Sequence, residues 1–280
     1  MSTVGSPADG PSQAQLLNIP LHAGELKLEM FVKGQGAPLL FLHGMDGVES
    51  CSRIIDVLAR DFTVYAPSHP GFGASELPRA YSTVDDLAYF YLDLLDHLDL
   101  RDVTVVGFSF GGWIAAEMLV KDASRVARLV LGAPLGLRTG ERRKMHVTDL
   151  FMLDPKQLDA VMQVTPPKEV NFSELPEATL ERIARNAEAV SLFGWSPYLY
   201  NPKLHLRLHR IRVPTVVLWG EEDRLAPLDY GRNFAAQLKH ARLQTLAGCG
   251  HRIHVDRPDE AAAAIVNFAA TALGAKSRPN

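Results

Sequence analysis

Residues 103 to 112 read Val-Thr-Val-Val-Gly-Phe-Ser-Phe-Gly-Gly, an order that few folds accommodate. Asp102 to Val106 predicts a strand, since four of its five residues are apolar or β-branched. The Ala-rich apolar run from Trp113 to Val120 predicts a helix behind it. Ser109 lies between the two, bracketed by Gly107 and Gly111. A serine there is forced into a tight, strained turn. The flanking glycines remove Cβ atoms that would collide where strand and helix pass. Its hydroxyl would project beyond the strand, beside a helix N-terminus whose free N–H groups favour developing negative charge. Taken alone, Gly-x-Ser-x-Gly is also an ordinary Gly-Ser turn. The strand before it and the helix after it favour a nucleophile.

The rest of the chain alternates around this unit. Leu26–Val32 alternates as a strand buried on one face, whereas Pro38–Leu42, Phe62–Ala66 and Val126–Leu131 are apolar runs suited to strands buried on both. Between them Ser52–Arg60 and Thr83–Leu98 carry helical spacing. Ser82 or Thr83 is placed to cap the second, and Asp85 and Asp86 suit its first-turn dipole. Strands alternating with helices predict an α/β fold, a parallel sheet with helices on both faces. From Pro134 to about Arg210 the pattern changes to short amphipathic segments (147–152, 155–163, 177–191), broken at Pro166-Pro167, Gly194 and Pro197. Strand and helix resume with Val213–Trp219, Pro227–Leu238, Arg242–Leu246 and Asp256–Leu273. The expected organisation is a loose tail at 1–15, a core of 16–133 and 211–280, and an inserted helical cap at 134–210.

Charge and cysteine content narrow the function classes. A formal net charge of -3 gives no electrostatic reason to expect nucleic acid or an anionic membrane as partner. Two cysteines, Cys51 and Cys249, do not make a disulfide scaffold, and no Cys/His spacing suggests a metal; His251 and His254 lack a local third ligand. Neither a signal peptide nor an apolar run of about 18 residues is present, so a cytoplasmic protein is expected. The expected partner is a small molecule, with self-association left open.

A serine hydroxyl needs a base within hydrogen-bond reach, and the base needs an orienting carboxylate. In a parallel sheet such groups gather beyond the C-terminal strand ends. Of ten histidines, that filter keeps His43, His69 and His251. His251 sits in the glycine-rich loop Ala247–His251 after the last strand and is the expected base. His43 and His69 read as structural, and His254 as capping the last helix rather than lining a pocket. Glu221, Glu222 and Asp223 all follow one strand end; Asp223 is preferred, just before the next helix, with the glutamates facing solvent. Phe110, after the serine, can donate its N–H to an oxyanion, and Met45 in the His43-Gly-Met-Asp loop is the expected second donor. Asp46 beside it would oppose an anion and is expected to point away or to accept backbone N–H groups. Trp195, among the aromatic and Met side chains of 151–200, and Phe108 beside the serine are the expected pocket residues. Arg252 is a candidate for a substrate carboxylate, whereas Arg142 and Arg143 read as surface.

These motifs together resemble the α/β-hydrolase superfamily: His-Gly after an early strand, Gly-x-Ser-x-Gly-Gly, Gly-x-x-Asp after a later strand and Gly-His after the last, in the order Ser, Asp, His. The resemblance covers residues 25 to 273 apart from the cap. It implies a mostly parallel eight-stranded sheet, no cofactor and no metal. Serine rather than aspartate at the elbow argues against haloalkane dehalogenases and epoxide hydrolases. Carbon–carbon hydrolases of meta-cleavage pathways resemble the chain too, but their usual tryptophan after the base is here Arg252. Perhydrolases, hydroxynitrile lyases and a non-catalytic binding protein of this fold are further alternatives. Carboxylesterase is the broadest expectation.

Overall fold

A computed structural model describes residues 14–21, 24–138, 147–165 and 170–276. Eight strands form one sheet: β1 (Gln15–Leu21), β2 (Gly24–Lys33), β3 (Ala37–Leu42), β4 (Phe62–Pro67), β5 (Val103–Phe108), β6 (Val126–Gly132), β7 (Thr215–Gly220) and β8 (Ala241–Leu246). Their spatial order is β1-β2-β4-β3-β5-β6-β7-β8. The β1/β2 and β2/β4 pairs are antiparallel and the others parallel. The chain leaves β3 for β4 on one side and returns to β5 on the other. The loops after β3 and β5 therefore diverge, and a crevice opens at their C-terminal ends, where open α/β sheets hold ligands.

Burial explains which strands the sequence displayed. β5 and β7 are buried at every residue, so continuous apolar runs mark them. β1 went unread, and the expected tail boundary at residue 15 falls on its first residue. As an edge strand it pairs only with β2, and it carries Asn18 and Pro20, which weaken a strand signal but are tolerated at an edge.

The helices are α1 (Ser52–Leu58), α2 (Val84–His97), α3 (Phe110–Lys121), α4 (Pro155–Met162), α5 (Glu177–Gly194), α6 (Leu228–Ala236), α7 (Ile253–Asp256) and α8 (Pro258–Lys276). Thr83 caps α2 in a capping box with Asp86, one of the two candidates foreseen. α3 starts at Phe110, three residues earlier than its apolar run suggests, because Gly111 and Gly112 belong to its first turn. Every residue of α3 from Phe110 to Val120 is buried, and it packs on β5 and α2. The last helical stretch is broken at Arg257, with Pro258 opening α8.

Between β6 and β7 the described residues form α4, α5 and four 3-10 turns, and none joins the sheet. The Pro166-Pro167 break lies outside the described residues. Side chains of α5 fasten this segment to the sheet side. Arg182 bonds both carboxylate oxygens of Glu29 on β2 at 3.0 and 2.9 Å and pairs with Glu49. Asn186 donates to Asp46 O at 3.2 Å and accepts from Gly73 N at 2.9 Å.

Candidate active site

Ser109 sits at the crevice with φ 51° and ψ −114°, in the left-handed half of backbone space that a side chain disfavours. The surrounding backbone holds it there. Its N–H donates to Gly132 O at 2.7 Å, and its carbonyl accepts from Trp113 N and Leu135 N, both at 3.1 Å. Two close approaches need glycine. A Cβ on Gly107 would strike the Gly111 carbonyl, and one on Gly111 would strike the carbonyls of Leu42 and His43. Strand β5, helix α3 and the end of β3 can therefore pack against one another only with these two side chains missing.

The base and carboxylate arrive from the other strand ends. His251 Nε2 lies 2.8 Å from Ser109 Oγ, and His251 Nδ1 lies 2.8 Å from Asp223 Oδ2. Asp223 Oδ1 is held by Leu225 N and Ala226 N at 2.9 Å each. A carboxylate only accepts, so Nδ1 carries the proton and Nε2 presents its lone pair to the serine hydroxyl. All three residues are buried, whereas Glu221 and Glu222 face solvent. The loop that delivers His251 is tied in place: Asp256 accepts from Gly250 N at 2.8 Å, Thr165 N at 2.8 Å and Val164 N at 3.0 Å. Burial opposes the Asp256 charge, but these N–H groups hold its carboxyl below the usual range.

The oxyanion side is built from α3 and the loop after β3. Phe110 is the first residue of α3, so its N–H has no acceptor within the helix. A Cβ on Gly44 would stand 3.5 Å from Ser109 Cβ, so the 43–46 loop lies directly beside the serine, with Met45 partly buried. His43 shapes that loop. His69 N–H donates to His43 Nε2 at 3.0 Å, which leaves the proton on Nδ1, donating to Gly44 O at 2.6 Å. His69 stacks on the His43 ring at 3.7 Å, donates from Nε2 to His43 O at 2.9 Å and accepts from Tyr91. Burial keeps both rings neutral, His43 down to about 4 and His69 well below its usual value.

Five expectations change. Asp46 does not bind backbone N–H groups with its carboxylate; it takes the Arg252 guanidinium in two bonds, at 2.9 and 2.7 Å. Arg252 is correspondingly engaged, with Nη1 on Asp159 at 2.6 Å and Gln163 at 2.9 Å, so four of its five donors are occupied inside the protein. Trp195 is 62% exposed and meets the ring of Phe151 edge-on, because the residue after α5 turns outward. It lines an open groove with Gly71, Leu77 and Arg185 rather than the crevice. Phe108 is wedged between Phe41, His254 and Gly132 as part of the core. His254 is buried against Phe108 and does not cap α8. Arg142 and Arg143 lie outside the described residues. From α5, Phe193 meets the ring of Phe110 with 6.5 Å between centroids.

Cys51 and Cys249 are free and buried, and burial pushes each thiol up to about 12. Among the described residues no group of three or more His, Cys, Asp or Glu is placed to hold a metal ion, and no helix is long and apolar enough to cross a membrane.

Residues 39–264 match the Alpha/beta hydrolase family. The chain belongs to it. The matched span runs from β3 into α8 and contains the serine turn, the Asp223 loop and the His251 loop. This hydrolase is 26% identical over 288 residues to a 2-hydroxy-6-oxononadienedioate/2-hydroxy-6-oxononatrienedioate hydrolase of Paraburkholderia xenovorans, covering 92% of this chain and 96% of the relative. It is 29% identical over 239 residues to a poly(3-hydroxyalkanoate) depolymerase of Ectopseudomonas oleovorans, covering 82% and 83%. A solved meta-cleavage product hydrolase from Pseudomonas fluorescens shares the fold with a TM-score of 0.74 at 20% identity, covering 93% of this chain and 98% of that one.

Proposed function

We propose that this hydrolase cleaves small carboxylic esters through an acyl-enzyme, with Ser109 as nucleophile, His251 as base and Asp223 as its orienting carboxylate. The observation that carries the reading is the unbroken chain of two 2.8 Å contacts from Asp223 through His251 to Ser109. His251 Nε2 takes the hydroxyl proton as Oγ attacks the ester carbonyl carbon. The Phe110 and Met45 N–H groups hold the tetrahedral oxyanion. Collapse breaks the carbon–oxygen bond, and His251 returns the proton to the departing alcohol. Water then attacks the acyl-enzyme by the same route, releasing the acid and restoring Ser109. Residues 134–210 act as a cap that shapes the acyl pocket, with Phe193 in ring contact with Phe110 beside the nucleophile.

Ser109→Ala is expected to lower kcat on p-nitrophenyl esters by at least about 10^4-fold without changing thermal stability. A fluorophosphonate is expected to label the wild type and not the variant. Turnover undiminished in Ser109→Ala would sink the reading.

Carbon–carbon hydrolysis of a dienoate is the second reading, supported by the relative named for a dienedioate. Against it, Arg252 beside the base is already occupied by two carboxylates, whereas a dienedioate would bring further negative charge. A poly(3-hydroxyalkanoate) is a chain of esters, so the other relative's name favours the first reading. A panel of p-nitrophenyl esters of increasing chain length, run beside a meta-cleavage dienoate, separates the two.

A further inference from the structure

The Met45 and His251 loops both stand beside Ser109, and each residue is followed in the chain by one partner of the same ion pair. Asp46 follows Met45, Arg252 follows His251, and the two make a bidentate contact at 2.9 and 2.7 Å. The same guanidinium reaches Asp159 near the end of α4 at 2.6 Å and Gln163 just beyond it at 2.9 Å. The Arg252 N–H also donates to Met162 O at 2.7 Å. Asp46 is gripped a second time, through its carbonyl, by Asn186 of α5. The Arg252 side chain is 12% exposed and that of Asp46 29%, so both charges are largely withdrawn from water.

Resting on the reading of Ser109, His251 and Met45 given above, we propose that Arg252 is a positioning residue that locks the oxyanion loop to the base loop and neutralises the Asp46 carboxylate beside the oxyanion hole. Two physical consequences set it apart from a surface ion pair. First, a carboxylate one residue from an oxyanion donor repels the charge that forms in the transition state, and the guanidinium cancels that repulsion. Second, a bidentate pair fixes direction as well as distance, so the Met45 N–H and the His251 ring keep a common frame. Asp159 and Gln163 extend this frame to α4, so the loops around the nucleophile are held against the insertion.

The charged and titratable groups facing His251 are Asp223 from the loop after β7, Asp46 from the loop after β3, Arg252 beside it and His254 from α7. Asp256 is bonded to Gly250, the residue before His251. Removing the guanidinium leaves Asp46 as an uncompensated anion in that group, which favours the imidazolium form of His251.

The test compares Arg252→Met, Asp46→Asn/Arg252→Met and Asp159→Asn with wild type on a p-nitrophenyl ester. Arg252→Met is expected to lower kcat by about 10^2-fold and to move the acid limb of the kcat/KM profile to higher pH. The double variant removes both charges of the loop-to-loop pair, so only Asp159, held apart from that pair on α4, loses its partner. It is expected to recover about tenfold in kcat and to return the acid limb to its wild-type position. Asp159→Asn is expected to change KM and leave the acid limb in place. A purely packing role predicts no movement of the acid limb and a double variant no better than the single one, and either result overturns the proposal. If Arg252→Met does not fold, the double variant carries the test: wild-type kcat in it overturns the proposal, and a reduced kcat at unchanged thermal midpoint supports it. Fluorophosphonate labelling of wild-type Ser109 separates the two readings. Absent labelling defeats the nucleophile assignment, whereas normal labelling with an unaffected Arg252→Met defeats only the role of Arg252.

Discussion

Asp223 uses its two oxygens differently, and that division makes a sharp experiment available. Oδ1 accepts two backbone N–H groups and Oδ2 accepts from His251. In Asp223→Asn the amide oxygen can keep the two backbone bonds while the amide nitrogen faces His251 Nδ1. A nitrogen that donates there requires Nδ1 unprotonated, which puts the proton on Nε2, where it cannot accept from Ser109. The expected outcome is a fall in kcat of about 10^4-fold with a nearly unchanged melting temperature. Activity near wild type would show that the orientation of His251 does not matter. Asp223 is preferred from sequence as the carboxylate nearest the next predicted helix, and of the three it is the one that lies 2.8 Å from His251. The partners of Asp46 were not legible, because Arg252 is 206 positions away along the chain.

At the scale of elements, the serine turn depends on three pieces passing within backbone contact: β5, α3 and the end of β3. Gly111→Ala places a Cβ against the Leu42 and His43 carbonyls, and backbone carbonyls in a central strand have no rotamer to escape into. The variant is expected to lose at least about 2 kcal/mol of stability, read as the shift in urea midpoint, and to lose activity with it. Gly24→Ala is the control for space, since a Cβ there meets nothing within 4 Å; its φ of 140° still imposes some backbone strain. An equal loss in both would mean that crowding at Gly111 is not the cause. The glycines were visible in the sequence as punctuation, which is why the helix appeared to start at Trp113. Their true setting, inside the first turn, follows from packing against β3, a contact that the order of residues does not display.

Across the whole molecule, the buried titratable groups predict a two-stage response to acid. Burial holds the His43 and His254 rings to about 4, and His69 well below its usual value, against an unfolded value of about 6.5. Between those limits the unfolded chain binds more protons than the folded one, so stability falls as pH drops from about 6.5 toward 4. Glu29, Asp46 and Asp256 are held below their usual values, their ion pairs and N–H partners outweighing burial. Their contribution is complete above the usual carboxylate range and is lost as pH falls through the depressed values. Glu29 ties Arg182 of α5 to the sheet, Asp256 ties Val164 and Thr165 to the base loop, and Asp46 holds Arg252, so the second stage is expected to release these contacts. The urea midpoint is expected to drop by pH 5, before Glu29, Asp46 and Asp256 protonate. A midpoint flat from pH 7 to pH 5 would contradict the neutral histidine pair.

Sequence alone determined the alternation of strands and helices, the serine turn, and the strand ends at which His251 and Asp223 stand. These are local properties: period, turn residues and chain order are written in neighbouring positions. Tertiary structure decided the edge strand β1, whose pairing on one side leaves its residues free of a strong pattern. It also turned Trp195 outward and committed Arg252 to Asp46, Asp159 and Gln163. A side chain's charge is legible from its identity, but what neutralises it depends on which distant segments the fold brings within 3 Å. That is why the serine turn could be read from ten consecutive residues, and the frame that holds its partners could not.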